Sequence, residues 1–445
     1  MSAKFPKAKE EVIKYIKEND IQFIEIWFTD VLGYLKSFTI TQRELPKAFE
    51  EGLGFDGSSV RGYTRIEESD MVAFPEAETF TLLPWRKNKS VARMFATITE
   101  PNGKPFAGDP RNVLKSMLDK AKSMGFTFHV GPELEYFYLK NSSTTPEVLD
   151  RGGYFDLIPR DEAIALRQET VSILEDMGIK VEFTHHESAP SQHEIDFRYA
   201  DALTMADVVM TARLVVKEVS YLNGVYATFM PKPIFGQNGS GMHVNMSLFK
   251  NGSNAFFDPN DKYHLSDIAK WFIAGLLKYA KEITLITNQW VNSYKRLVPG
   301  YEAPVYISWA LKNRSDLIRV PLYKPEKEEA TRVEYRAPDP ACNPYLVFAV
   351  LLGAGLEGIE KKYPLPNPIE ENVYRMTEEE RKARQIENLP GSLIEAIEVT
   401  EKSKLVKKLL GDHVFTNLIE NKRLEWDNYR KQVTNYELET YLQVL

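Results

Sequence analysis

One cysteine, Cys342, is all that the 445 residues contain. That excludes an intrachain disulfide and any cysteine-based metal site, and it suits a reducing cytosol. No apolar run is long enough to span a bilayer; the longest, Tyr345 to Leu356, reads as a buried helix. The start, Met1-Ser2-Ala3-Lys4-Phe5-Pro6-Lys7, lacks the apolar core of a signal peptide. These absences predict a cytoplasmic protein with no membrane association. There is no GxxxxGK[ST] loop and no GxGxxG following a strand pattern, which argues against a standard mononucleotide or Rossmann fold. Positive charge is not in excess either: a net charge of −7 and a pI near 5.7 argue against a general nucleic-acid binder. Phosphate binding would then have to come from a local arginine cluster.

What is present is the composition of an ordinary globular protein, 43% hydrophobic and 27% charged, with length enough for two or three domains. Periodicity predicts a helix over Lys7 to Asn19, strands over Ile21 to Phe28 and Tyr34 to Ile40, a helix over Leu45 to Glu51, and strands near Thr79 to Leu83 and Val91 to Thr99. Glu100-Pro101-Asn102-Gly103-Lys104-Pro105 is dense in turn residues and marks a domain boundary, giving domains 1–103 and 104–445. Beyond it, helices are expected over Arg111 to Met124, Glu162 to Met177 with Asp161 as N-cap, Asp201 to Asn223, and Asp267 to Thr287 capped by Ser266. Asn251-Gly252 offers a hairpin turn. The last seventy or so residues read as charged helices, ending in an apolar stripe of Leu438, Tyr441, Leu442 and Leu445 that packs on its own domain or docks a neighbouring subunit. The expected class is α+β: a small mixed N-terminal unit, then a larger domain of antiparallel sheet backed by helices.

Four segments place polar residues at every second position: Glu133/Glu135, Glu194/Asp196/Arg198, His243/Asn245/Ser247 and Arg332/Glu334/Arg336. Residues two apart in a strand share a face. One such row is the solvated face of an antiparallel sheet, and for any row alone that is the better reading. Four rows suggest one cavity, because carboxylates and imidazoles crowded together repel unless cations or charged substrates compensate them. A carboxylate-rich set with one histidine suits a hard cation such as magnesium or manganese. His185-His186-Glu187-Ser188-Ala189-Pro190-Ser191-Gln192-His193-Glu194 adds three histidines and two glutamates, and with the rows a multi-metal site becomes the better account than a polar surface loop. Asn238-Gly239-Ser240-Gly241-Met242-His243 has two glycines where a tight turn needs one, as if backbone must approach a ligand. Charged side chains also gather in Asn292 to Pro304 and Asn313 to Pro321. They are either surface ion pairs or guanidinium forks for an anionic substrate and nucleotide, with Pro299-Gly300-Tyr301-Glu302 as a lid.

Taken in order, these segments resemble class I glutamine synthetase of the bacterial and archaeal type along nearly the whole chain, and within it the non-adenylylated alpha subclass. The resemblance rests on Phe55-Asp56-Gly57-Ser58-Ser59, Gly131-Pro132-Glu133-Leu134-Glu135, His185-His186-Glu187, Asn238 to His243, Asn292-Ser293-Tyr294-Lys295-Arg296, Asn313-Arg314-Ser315 and Asp339 to Tyr345. It implies a β-grasp-like N-terminal domain and a catalytic domain with a curved antiparallel sheet. It also implies an ATP-dependent ligase that phosphorylates the γ-carboxylate of L-glutamate and lets ammonia displace the phosphate. By motif, Glu135, Glu187 and Glu194 would hold one Mg²⁺ or Mn²⁺, and Glu133, His243 and Glu334 a second. Asn238, Gly239, Arg296 and Arg336 would bind glutamate, together with Glu302 and Arg314, and Glu182, Asn245, Ser247 and Arg319 would bind ATP. Arg314 would steady the transferred phosphoryl group, Asp56, reaching in from a neighbouring subunit, would attract ammonium and take its proton, and Glu302 would close the lid. The resemblance further implies a dodecamer of two hexameric rings and nitrogen-regulatory protein partners.

The sequence departs from the family pattern at three places. Thr434-Asn435-Tyr436-Glu437 stands where His-Pro-Trp-Glu is customary, and Leu322 to Glu329 makes a longer, more charged loop. Tyr374 sits at a position adenylylated in one subclass, without the matching context, and Arg65 matches a position tied to glutamine feedback in the other. Rival readings are a glutamate–amine or polyamine ligase of the same family, which would need the Asp56 and Glu302 pocket reshaped, and a two-metal phosphohydrolase, which needs no lid or glutamate-binding arginines.

Overall fold

Alternation along single strands builds two cores that share a wall. The computed structural model describes residues 5–60, 62, 70–86, 90–313 and 315–445. Arg65 and Arg314 lie outside the described residues. The first unit comprises α1 (Lys9–Glu18), β1 (Phe23–Thr29), β2 (Leu35–Thr41), α2 (Leu45–Glu51), β3 (Leu53–Asp56), β4 (Asp70–Pro75), β5 (Thr81–Leu82) and β6 (Val91–Thr99). Among the described residues these form a six-stranded sheet of order β2-β1-β6-β4-β3, with β5 on β6; β1 and β6 run parallel. Ile24, Ile26 and Phe28 of β1 enter one core with Val12 and Ile16 of α1. Trp27 and Phe95 point the other way, into the larger core of the second unit.

That second unit contains α3 (Pro110–Ser123), β7 (Thr127–Leu139), α4 (Ile164–Asp176), β8 (Val181–His186), β9 (Gln192–Phe197), β10 (Ala200–Asp201), α5 (Ala202–Leu222), β11 (Tyr226–Thr228), β12 (Met242–Lys250) and β13 (Ser253–Asn254). It continues with α6 (Asp267–Thr287), α7 (Ser293–Arg296), β14 (Trp309–Ala310), β15 (Ile318–Arg319), β16 (Val333–Tyr335), α8 (Pro344–Lys361), α9 (Glu378–Ala383), α10 (Leu393–Glu401), α11 (Lys404–Tyr429) and α12 (Asn435–Tyr441). Its ten-stranded sheet has the order β14-β15-β16-β12-β7-β9-β8, with β10 and β11 on β7 and β13 on β12. Helices α3, α5, α6 and α8 pack behind it, and the apolar run Tyr345 to Leu356 is buried within α8. Among the described residues no helix is long and apolar enough to cross a membrane. The fold is α+β, as expected.

Several local expectations need correction. Strands β3 and β4 were not anticipated from the periodicity; Gly54 interrupts the alternation of β3, and Pro75 ends β4. The segment expected as a strand from Thr79 is a 3₁₀ turn, Ala77–Thr79, followed by two strand residues. Asp161 is not the N-cap of α4, which starts after Ala163; its carboxylate accepts from Ala163 N and binds Arg167 instead. The terminal stripe does not pack on its own domain: Leu442 and Leu445 are 74% and 98% exposed, and α12 buries no residue. The Asn251-Gly252 turn forms as expected, both residues having positive φ, 52° and 81°.

A charge network ties the two units. Arg111 Nη1 lies 2.6 Å from Glu76 of the first unit, while its Nε and Nη2 donate to both oxygens of Asp207 at 3.1 and 2.9 Å. Tyr345 donates its hydroxyl to the same aspartate, and Lys115 and Thr97 also reach Glu76. Burial alone would raise the Glu76 pKa, but Arg111 and Lys115 outweigh it and hold the carboxyl at about 2, against 4.5 unperturbed. Its folded value is depressed, so the stability it contributes is present above pH 4.5 and lost as pH falls towards 2. Glu76→Gln therefore flattens the acid limb of a stability–pH curve between those values. Arg111→Met, which takes the ion-pair partner from buried Asp207 and one of two from Glu76, lowers stability by roughly 3–5 kcal/mol in denaturant melts at pH 7.

Candidate active site

Strand register, more than any single motif, assembles the polar cavity. On β7, Glu133 lies opposite His243 of β12 on one side and Asp196 of β9 on the other. Glu135 lies opposite Glu194, and Glu194 opposite His185 of β8. Asn245 lies opposite Glu334 of β16. The four rows thus share one face, lining a cavity of about 700 Å³, whose lining also includes Gly300, Tyr301 and Glu302, and a smaller one beside it.

Two groups of donors converge on the floor. Glu133, His243 and Glu334 bring one ligand atom each within 4.8 Å of one another, and so do His185, Glu187 and Glu194. Glu133 accepts from His243 Nδ1 at 2.9 Å, and Glu334 Oε1 is 3.7 Å from that nitrogen. Glu135 stands between the groups, 4.0 Å from His243 Nε2, accepting from Gln192 Nε2 and Gly241 N at 2.9 Å each. His185, read in the sequence only as part of a histidine-rich segment, joins Glu187 and Glu194 in this group, with Glu135 beside them; the β8–β9 pairing that turns it inward leaves no signature in the segment itself.

The electrostatics of the floor are those of like charges without compensation. Burial, then Glu194 and Glu187, push the Glu135 carboxyl well above its ordinary range. Burial and Glu194 raise Glu187, and burial, Glu194 and Glu133 raise Asp196. Burial also works against an ionised Glu133, but His243 outweighs it and holds that carboxyl at about 2. Groups that keep their protons because burial and anionic neighbours disfavour the charged form release them to a cation. Carboxylates plus imidazole are a donor set that fits a hard divalent ion, so the residues present fit a metal centre.

Arginines form the walls. Glu334, fully buried, receives Arg319 Nη1 at 2.7 Å and Arg336 Nη1. Arg296 is 2% exposed and donates to the carbonyls of Ala337, Pro338 and Arg336. The glycine-rich loop exists for this side chain: a Cβ on Gly241 would lie 2.6 Å from Arg296 Nη2, and one on Gly239 would lie 2.3 Å from Pro231 O. Gly241 thus makes room for the guanidinium and Gly239 for the Pro231 carbonyl, a packing role beside the ligand approach expected of the loop.

Asn238 donates to Glu302 at 2.7 Å, and Glu302 holds φ of 55°, a strained conformation for a residue with a side chain. Glu182, Asn245 and Ser247 line an adjoining cavity of about 340 Å³ that shares Glu133, Phe183 and Asp196 with the first. Asp56 is not in either cavity of its own chain. It is exposed, and Ser58 donates to it through both N and Oγ, which lowers its pKa. Sequence reading assigned no cavity role to Tyr154, Phe155, Phe183 or Asn372, which also line it. Tyr374 is half-buried, lines the cavity and donates its hydroxyl to Ala303 O.

Residues 107–441 match the model of the glutamine synthetase catalytic domain, and residues 20–101 that of the glutamine synthetase beta-Grasp domain. The chain belongs to the glutamine synthetase family. It is 55% identical over 442 residues to a glutamine synthetase of Mycolicibacterium smegmatis, covering 98% of this chain and 99% of that one, which places it in the class I, bacterial type. Among solved structures, it resembles a GmaS/ADP complex (TM-score 0.88, 31% identical, 97% of this chain and 99% of that one). It also resembles a Plasmodium falciparum glutamine synthetase (TM-score 0.89, 27% identical, 99% and 100% covered). The family's enzymes are ATP-dependent, metal-dependent ligases that form the carbon–nitrogen bond of glutamine.

The uncompensated floor has a measurable consequence in this glutamine synthetase. Glu135→Gln removes one repelling carboxyl, so metal-free protein keeps or gains stability, by up to about 1 kcal/mol, while stabilisation by added Mn²⁺ shrinks. Thermal melts with and without the ion measure both. Loss of stability without the ion would mean that the floor is held together by something other than a cation.

Proposed function

We propose that the chain makes glutamine in the cytoplasm through a γ-glutamyl phosphate, with Mg²⁺ or Mn²⁺ as its cations and residues 104–445 carrying the cavity. The observation that carries this reading is the pair of donor groups on either side of Glu135, facing walls of arginine. Glu133, His243 and Glu334 would hold one ion, and Glu187 and Glu194, with Glu135 and His185 beside them, the other. Ions held there would supply positive charge against the phosphate groups and lower the cost of phosphoryl transfer.

The protein's own groups do the rest. Asn238, the Gly239 backbone, Arg296 and Arg336 would seat glutamate. The guanidinium of Arg336, tied to Glu334, is fixed in direction before substrate arrives. Glu182, Asn245, Ser247 and Arg319 would hold ATP in and beside the adjoining cavity, and Arg314 would face the transferred phosphoryl group. Glu302, with its side chain on Asn238, would close the lid and keep water from the acyl phosphate.

Asp56 would work in the cavity of a neighbouring subunit, in a homo-oligomer of two hexameric rings open to nitrogen-regulatory partners. Supporting this are its exposure and its distance from its own chain's cavity lining. Ser58 keeps its carboxylate ionised, which suits attraction of ammonium, and burial against a neighbour would raise its basicity towards the task of taking a proton.

Incubation with ATP, Mg²⁺ and glutamate, with ammonium or a panel of amines, separates the readings by phosphate release and product mass. Ammonium-dependent glutamine is expected. Phosphate release without glutamate, or product only with amines, would overturn the proposal. Asp56→Ala should lower the ammonium-dependent rate by about 10²–10⁴-fold. Mixed and reassembled with Glu187→Gln chains, it should recover activity in part, because some interfaces then join an intact Asp56 to an intact cavity. No recovery would place Asp56 in its own chain's site.

A further inference from the structure

A second large cavity, of about 800 Å³, lies away from the carboxylate floor, between the Leu32–Leu35 turn of the first unit, α5, α7 and α11. Its walls are largely apolar: Trp290 and Tyr34 meet edge to face, and Phe229, Met210 and Leu214 complete them. Its charge is lopsided. Arg213, at the base, is 9% exposed, makes one hydrogen bond among the described residues, Nη2 to Cys342 O at 2.7 Å, and keeps a buried Nε with no partner. Asp339, whose field it feels, is beyond ion-pair distance and already accepts from Asn288 and Ala341 N.

One turn along α5, Lys217 stands exposed above Phe229, and Lys295 stands exposed above Tyr429; among the described residues neither has a carboxylate within 4.0 Å. Glu425, also in the lining, is engaged by Lys422 Nζ and Val291 N at 2.9 and 3.0 Å. A buried guanidinium without a counterion is the group that a carboxylate satisfies best, through two parallel hydrogen bonds. Aromatic and branched aliphatic walls take an apolar body.

We propose that this cavity binds a small organic monocarboxylate with an aromatic or branched aliphatic body. The carboxylate meets Arg213 with Lys217 beside it, and the body lies among Trp290, Phe229 and Leu214. The ligand sits behind the wall of the glutamate pocket: Asn292, in the lining, exchanges two hydrogen bonds with the backbone of Lys232 and leads into α7, which ends at Arg296.

The test uses the purified, assembled protein and the fluorescent sulfonate 1-anilinonaphthalene-8-sulfonate, displaced by 4-phenylbutyrate or by 4-phenylbutylamine. The wild-type protein is expected to bind the dye, the acid to displace it, and the amine to displace it at least tenfold less well. Leu214→Trp, which fills the cavity, should weaken binding at least tenfold while ammonium-dependent activity stays within twofold. Lys217→Met, at an exposed position that leaves folding intact, should weaken it at least threefold, with Lys217→Arg restoring it. No dye binding, equal displacement by the amine, or unchanged affinity in Lys217→Met would each overturn the proposal, whatever Leu214→Trp does to the fold.

Discussion

Carboxylates face one another across β7, β8 and β9 with too few cationic partners to neutralise them all, and the rest of the catalytic unit is arranged around that repulsion. Glu135 meets Glu194 across the ladder and feels Glu187, and Asp196 meets Glu133. An apolar protein interior does not tolerate several such groups ionised together. The sheet fixes their spacing, and a cation of the kind the family depends on would supply the missing charge. Gln192 and the Gly241 amide hold Glu135 in place, so an ion meets a geometry formed in advance.

The arginines answer the same constraint from the wall side. Arg319 and Arg336 bracket Glu334, so this carboxylate is paired whether or not an ion is present. Arg296 is anchored on carbonyls behind the glycine loop, and any side chain at Gly241 would strike it. Between stiff walls and a charged floor runs the segment that carries Gly300 and Glu302, whose φ of 92° and 55° depart from the ordinary backbone range. The Arg111 network holds the first unit against the second, so that Asp56 is presented from a fixed platform.

Much of this could be read from the residues. The alternation of β7, β9 and β12, the long helices with Asp201 and Ser266 as caps, and the buried run of α8 follow from periodicity and capping, which are local. The polar rows were legible for the same reason, since period two is a property of one strand. What needed the fold was register. Nothing in His185-His186-Glu187 says which histidine turns towards Glu194, and nothing in the glycine loop says that its neighbour is Arg296, 55 positions beyond Gly241. Strand β3 escaped because it is a four-residue edge strand broken by Gly54, β4 because it is short and ends in Pro75, and the C-terminal stripe stayed open between two readings because a helix packed on its own domain and one awaiting a partner share the same spacing.

The central claim, that crowded carboxylates are a cation site held in reserve as protonated acids, has a direct test. Isothermal titration of metal-free protein with Mn²⁺ at constant pH, in buffers of different ionisation enthalpy, counts both the ions bound and the protons released. The account predicts two ions per chain and net proton release, as Glu135, Glu187 and Asp196 ionise in the ion's field. Binding without proton release, or at fewer than one ion per chain, would contradict it.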